Sequence, residues 1–141
     1  MIYSVAQWIE NLALGFTIGT NFFVGYIPDK REDGTATPHR AVLIVDQTPS
    51  AVYFDVPDRV DFAVQILCRA KDKADAHADA FTIHRAIHVR SAINLPDPEH
   101  ASGSTYVAMT IEANQAPGYI LQDAKGRFQY SQNFIFRIRN R

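Results

Sequence analysis

One abrupt change of hydrophobic period constrains this fold more than any other feature of the sequence. In residues 62–69 the even positions are apolar, whereas Asp61, Gln65 and Arg69 fall on the opposite face, as in a half-buried strand. Beyond Asp72 the apolar positions recur at helical spacing. They are Ala76, Ala80, Ile83 and Ile87. We therefore expect a strand that leads directly into an amphipathic helix, capped by Asp72 and packed on the strand's own sheet.

Length and composition narrow the class of protein. The chain has 141 residues, 47% hydrophobic and 21% charged, which suits one domain over residues 1–141 with a core that needs no disulfide or metal. A net charge of -1 gives no global electrostatic argument for binding nucleic acid or an anionic membrane. No apolar run approaches the roughly 18 to 20 residues of a membrane span, and no early basic cluster marks a signal peptide. Cys68, the single cysteine, is predicted to be a buried structural thiol in a reducing compartment.

Apolar spacing elsewhere predicts a second helix and several further strands. The N-terminal helix is expected to end at Gly15, because glycine takes the left-handed conformation that often terminates helices. Trp8, at the edge of its apolar face, is either a partly buried core residue or an interface anchor. Strand patterns lie at residues 20–27, 40–46, 106–113, 119–121 and 128–138, with a hairpin turn at 123–126.

These elements predict an α+β fold. Its sheet is mostly antiparallel and is packed by the N-terminal helix and one long central helix, since two layers cover every apolar face. Long loops are expected near residues 28–39, 47–59 and 94–104, where proline, glycine and charged residues are frequent. Loops of this length usually carry function or are disordered.

The predicted long helix carries three histidines on one stripe, His77, His84 and His88, beside Phe81. His84 and His88 have the i, i+4 spacing that can chelate zinc. The glutamate of a metalloprotease signature is absent, because Arg85 follows His84. The alternative is a half-exposed face that packs on a neighbouring protein or is solvated. We expect no bound metal or cofactor.

Charged residues elsewhere give no catalytic signature. The acidic pairs Asp55 with Asp58 and Asp97 with Glu99 lie in proline-rich turns, where aspartate usually bonds its own backbone. Arginines on the polar face of the last strand could touch nucleic acid or an acidic protein surface, or form a solvated edge that blocks aggregation. These arginines are Arg137, Arg139 and Arg141, and Arg127 shares their face.

Three segments together resemble a known family. They are the proline-containing acidic turn at 55–59, the strand and Lys-Asp turn at 64–72, and the alanine-rich helix from Ala76 to Ile83. An N-terminal helix, an early Tyr26-Ile27-Pro28 turn and closing antiparallel strands also agree. The order resembles the minor capsid or tail-completion family of long-tailed bacteriophages, which includes tail terminators that take part in head–tail joining.

The resemblance implies a non-enzymatic assembly protein of the virion, located at the head-proximal end of the tail and assembled in the bacterial cytoplasm. Such proteins form a ring, by resemblance a homohexamer, on the tail tube and stop its polymerisation. The implied partners are further copies of the chain, the tail tube protein and head–tail connector proteins. No membrane and no sequence-specific nucleic acid is implied, although DNA could pass through the ring lumen.

Interface residues follow from predicted exposure and are hypotheses. They are His77, Phe81, His84, His88, Arg127, Arg137 and Arg139. The loops at 28–39 and 95–104 are further candidates for contacts with tube, lumen or connector. Two rival functions remain open at this point. One is a different connector component, such as a joining or stopper protein, and the other is a small metal-dependent enzyme that uses the histidine stripe.

Overall fold

The computed structural model describes residues 2–47, 51–52, 59–96 and 106–140. Within these ranges the chain forms helices α1 (Ile2–Asn11) and α2 (Lys73–Ile87) and eight strands of one sheet. The strands are β1 (Phe22–Val24), β2 (Ala41–Asp46), β3 (Ala51–Val52), β4 (Arg59–Ala70), β5 (Arg90–Leu95), β6 (Tyr106–Ala113), β7 (Gly118–Gln122) and β8 (Phe128–Asn140). Among the described strand pairs β1 and β2 are parallel and the others antiparallel. The predicted α+β class with a mostly antiparallel sheet is confirmed.

The sheet is organised on β4 and β8, which pair along their full length. Its strand order is β1-β2-β4-β8-β6-β5, while β3 pairs with β4 and β7 with β8. One half of the sheet therefore runs from β1 through β2, β4 and β8 to β7. A transverse row crosses these five strands at Phe22, Val42, Cys68, Tyr130 and Tyr119. At this level β1 and β7 are the two outer strands.

Helix α2 follows β4 after a two-residue turn and packs on β4 and β8, as the change of period predicts. Its buried apolar residues include Ala76, Ala80, Ile83 and Ile87. The carboxylate of Asp72 accepts a hydrogen bond from the Ala74 backbone N–H at 2.9 Å, which confirms the predicted cap. Because side chains alternate across a strand, the even positions of β4 and β8 supply the other half of this core.

A buried charge that the hydrophobic pattern did not reveal joins α2 to the start of β2. Asp79 is 7% exposed and accepts two hydrogen bonds from the Arg40 guanidinium, at 2.8 and 2.9 Å. The hydrogen bond to Asp79 raises the pKa of Arg40, so the arginine stays charged at any relevant pH. A buried carboxylate needs such a bidentate partner, which fixes the helix relative to the strand.

Helix α1 packs on the same face and contacts β1, β2 and β5. Since β1 and β5 are at opposite ends of the strand order, the sheet curls around this helix. Trp8 is 7% exposed and its ring meets Phe136 edge-on at 6.1 Å, so it is a core residue. The helix ends at Asn11 and not at the predicted Gly15, because Ala13 already takes a positive φ of 56°.

Three further predictions need correction or fall outside the description. Strand β1 has three residues instead of the eight at 20–27, since Gly25 (φ 86°) turns the chain. Strand β5 was missed, and it includes Asn94 and Leu95 of the predicted loop at 94–104. Only Leu95 of its six residues is buried, so no apolar alternation marks it.

Residues 48–50, 53–58, 97–105 and Arg141, with both acidic pairs, lie outside the described residues. Neither described helix has the length and apolar character needed to cross a membrane.

Candidate interface surfaces

Six aromatic side chains form a continuous line along one side of α2 and across to β7. We call this line the aromatic ladder. It consists of Tyr119, Tyr130, His77, Phe81, His84 and His88, whose consecutive ring centroids are 5.7, 5.5, 4.4, 6.3 and 5.0 Å apart. Its last four members, three on α2 and His88 at the C-cap, are spaced by three or four residues, which places them on one side of the helix. Rings at these separations attract one another beyond the area that they bury.

The aromatic ladder closes the space between α2 and the strands β6, β7 and β8. His84 lies 6.3 Å from the ring of Phe134, and Nδ1 of His88 accepts a hydrogen bond from the Ala113 backbone N–H at 3.1 Å. His77 and His88 are exposed, whereas Phe81 and His84 are half-buried. The structure thus brings together the four residues that the sequence selected, three on α2 and one at its C-cap, and it leaves part of each side chain accessible to another protein.

His84 has the most unusual environment of the ladder. Burial lowers its pKa below the usual histidine value, and the neighbouring His88 and Arg85 lower it further. Its Nδ1 atom is buried and has no hydrogen-bond partner among the described residues. Across the described ranges no three histidine, cysteine or acidic side chains converge in a way that could hold a metal ion.

Strand β7 is exposed on both of its faces. The side chains of Tyr119, Ile120 and Leu121 are 46%, 42% and 52% exposed, and we call them the β7 patch. The ammonium group of Lys73 lies 4.5 Å from the centroid of the Tyr119 ring, within range of a cation–π interaction. Among the described strands β7 pairs only with β8, so none of them covers its outer edge. The sequence predicted the strand but not this exposure, because period alone does not say which strands lie at an edge.

A second group of exposed apolar side chains surrounds β1 at the other end of the row. Tyr3, Ile18 and Tyr26 are 55%, 37% and 72% exposed, and we call them the β1 patch. They line a hollow together with the residues of β1 and with Lys30, Arg31 and Glu32. No pattern in the sequence pointed to this patch, since its members come from α1, a turn and a loop.

The arginines predicted as an interface have partners within the chain. Arg127 forms an ion pair with Asp123 at 2.7 Å, and Asp123 also accepts the backbone N–H groups of Lys125 and Arg127 at 2.9 Å. Burial alone would raise the pKa of Asp123. The hydrogen bonds and the positive charge of Arg127 outweigh burial and hold this pKa below its usual value. Arg127 therefore closes the β7–β8 turn.

On the polar face of the sheet an ion-pair network joins β6, β8 and β4. Arg137 binds Glu112 at 2.8 Å and lies 4.0 Å from Asp61. Arg139 is exposed and lies opposite Arg59 on β4. The structure places Arg137 and Arg139 on the face opposite the helices, away from the aromatic ladder.

The segment at 28–39 crosses one end of this polar face. The Arg69 guanidinium donates to the backbone oxygen of Pro38 at 3.3 Å, and Lys125 lies 4.0 Å from Asp29. The Thr37 hydroxyl donates to the Pro28 backbone oxygen at 2.6 Å and closes the segment on itself. These contacts hold the segment between the β1 patch and the β7–β8 turn.

The chain is similar to known proteins in both sequence and fold. A family model described as bacteriophage tail terminator protein matches residues 5–140. Among solved structures, one similar chain belongs to the virion of a native gene transfer agent (GTA) particle. The two chains are 14% identical with a TM-score of 0.57, and the likeness covers 96% of this chain and 93% of that one. At this identity the likeness shows a shared fold. No curated protein sequence matches the chain.

Proposed function

The chain belongs to the bacteriophage tail terminator family, and from this premise we propose that it caps the head-proximal end of the tail tube as a ring and so sets the length of the tube. In this role it ends tube polymerisation and provides the surface to which the head connector attaches. The observation that carries the proposal is the family match over residues 5–140. The coarser statement, that the chain is a structural component of a phage tail, follows from membership alone.

The fold supports this role. The similar solved chain comes from a virion particle and matches nearly the full length of this one, so the likeness does not depend on a shared fragment. A cap must present different surfaces to the tube, to the connector and to adjacent subunits. The chain offers the aromatic ladder, the β1 patch and the polar face of the sheet, which lie on different sides of one rigid sheet. We propose six subunits, with assembly in the bacterial cytoplasm.

The test is tube length. Purified protein added to polymerising tail tube protein of the same phage should stop growth, and electron microscopy should show a ring at one end of each tube. Binding to filled heads in place of tubes would favour a joining or stopper protein. Tubes that grow equally long with and without the protein, and that carry no ring, would contradict the proposal.

A native mass spectrum reports subunit number and bound metal together. We expect a closed ring of six without zinc. One zinc per chain, lost when His84 and His88 are both changed to alanine, would instead support a metal-dependent enzyme.

A further inference from the structure

We propose that neighbouring subunits meet head to tail, with the β7 patch of one copy seated on the β1 patch of the next. This inference rests on the proposed ring and names the surfaces that close it. It starts from the distribution of exposed large apolar side chains in the described part of the chain. Three of them form the β7 patch, three form the β1 patch, and Val89 lies apart from both.

The two patches are at opposite edges of one row of strands. Tyr119 is at the β7 end of that row and Phe22, which lines the β1 hollow, is at the β1 end. Four interstrand steps of about 4.8 Å separate them, so the patches are about 19 Å apart in the hydrogen-bonding direction. Two different patches on opposite edges are what a heterologous contact requires, and heterologous contacts close into rings.

The shapes of the two patches are complementary. In the described part of the chain the β7 patch projects from an uncovered strand edge with side chains on both faces, whereas the β1 patch surrounds a hollow lined by Ile18, Phe22 and Tyr26. An open strand edge that exposes apolar side chains is a site of association unless something covers it. Tyrosine is on both patches, and such residues anchor interfaces by burying a ring while the hydroxyl stays hydrated.

One pair of opposite charges can meet across the proposed contact. Lys73 lies over the Tyr119 ring of the β7 patch. Glu32 lines the β1 hollow and offers a carboxylate to Lys73, while Lys30 and Arg31 line the same hollow. An ion pair between Lys73 and Glu32 would fix the register, whereas a contact between two β7 patches would bring Lys73 against Lys73.

A covalent trap tests which patches meet. In the full chain, Leu121→Cys labels the β7 patch and Tyr26→Cys labels the β1 patch, and one of the two variants carries a mass tag. The native Cys68 is fully buried and its pKa is raised by burial, so it does not compete for a thiol-specific reagent. Val89→Cys is the matched control, because Val89 is 73% exposed, close to the 72% of Tyr26, and lies outside both patches.

A short bis-maleimide crosslinker should join Leu121→Cys to Tyr26→Cys at least about tenfold more than it joins Leu121→Cys to Val89→Cys, an excess that a specific contact readily provides. A variant that carries both cysteines should give crosslinked oligomers of increasing size, because each copy then offers both patches. Equal self-crosslinking of Leu121→Cys would overturn the proposal in favour of a symmetric β7 contact. A yield no higher than that of the control would overturn it outright.

The tube-length assay separates this inference from the proposed function. If wild-type protein stops tube growth while the crosslink stays at the control level, the ring role stands and the head-to-tail contact is wrong. If the crosslink forms while tubes grow unchecked, the subunit contact stands and the capping role is wrong.

Discussion

At the scale of single residues, the conformation of Val89 stands out. It has a φ of 58° and is 73% exposed, between the end of α2 and β5. A β-branched residue rarely occupies this left-handed region, because its side chain crowds the backbone. The position therefore costs stability and gains little from burial. No sequence pattern could show it, since φ at a junction depends on the elements on both sides.

Replacing Val89 with glycine should stabilise the protein by about 1 kcal/mol, the order of the penalty for a left-handed L-residue. Urea unfolding monitored by circular dichroism measures the change. The control is Val45→Gly in β2, where glycine should destabilise, because the strand loses a half-buried side chain and gains freedom in the unfolded state. A Val89→Gly variant that loses as much stability as the control would show that the junction is unstrained.

His84 should make stability depend on pH. Burial, His88 and Arg85 lower its pKa in the folded protein below the ordinary histidine value of 6.5. The unfolded chain therefore binds more protons, so the free energy of unfolding should fall as pH falls through 6.5 towards the folded pKa. His84→Asn should flatten this slope between about pH 7 and 5, the range in which histidine titrates. Some slope should remain, because the pKa of His39 is also lowered, by burial and by Lys71.

The slope of stability against pH is measured by denaturant titration at several pH values. Thr82→Asn on the same helix is the control. An unchanged slope in His84→Asn would contradict the assignment.

At the scale of elements, sequence periodicity was informative where one face of an element is buried. Strands β4 and β8 bury alternate residues and helix α2 buries helically spaced ones, and the positions of these elements were predicted closely. Gln132 shows the limit, since it lies on the apolar face of β8 and is fully buried, with its amide donating to the Ala80 backbone oxygen at 3.0 Å. Strand β5 shows another limit, because an exposed edge strand has no apolar face to detect.

The candidate surfaces follow the same division. The α2 members of the aromatic ladder could be selected from their helical spacing. Tyr119 could not be selected, because strand pairing brings it to the ladder. The β1 patch could not be selected either, because the turn after β1 gathers its members. The arginines of β8 could be placed on one face, but Glu112, the partner of Arg137, is on a strand distant in sequence.

The N-cap of α2 provides a test at this scale. Asp72→Ala removes the acceptor of the Ala74 N–H and should destabilise the protein by about 1 kcal/mol. Thermal unfolding followed at 222 nm measures the loss. Lys71→Ala, the exposed neighbour outside the helix, is the control and should change stability little. Equal effects of the two substitutions would mean that the cap does not stabilise α2.

At the scale of the whole molecule, the main feature is the separation of surfaces. The helices and the aromatic ladder are on one face of the sheet, the ion-pair network is on the other, and the β1 and β7 patches are at opposite edges. A subunit arranged in this way can contact neighbours in the plane of a ring while its other faces remain available to the partners above and below.

This arrangement predicts the effect of a charge at the ring contact. Leu121→Asp should abolish rings in native mass spectra and reduce capping of tail tubes by at least about tenfold, since an apolar contact at an interface centre is replaced by a buried charge. Val89→Asp, at a residue that is 73% exposed against 52% for Leu121 and lies outside both patches, should keep rings and capping. Rings that persist in Leu121→Asp would exclude β7 from the subunit contact.

Strand β8 has unequal support on its two sides, and this inequality has a mechanical consequence. On one side β4 pairs with it through twelve consecutive residue pairs, while on the other β6 and β7 share its length as two separate short segments. A force along the strands loads the β4–β8 pair in shear, so its hydrogen bonds must break together. The same load on β7 is carried by only three residue pairs with a register shift between them, so it should break at a lower force. Under tension the molecule should therefore shed its outer strand first and keep its centre intact.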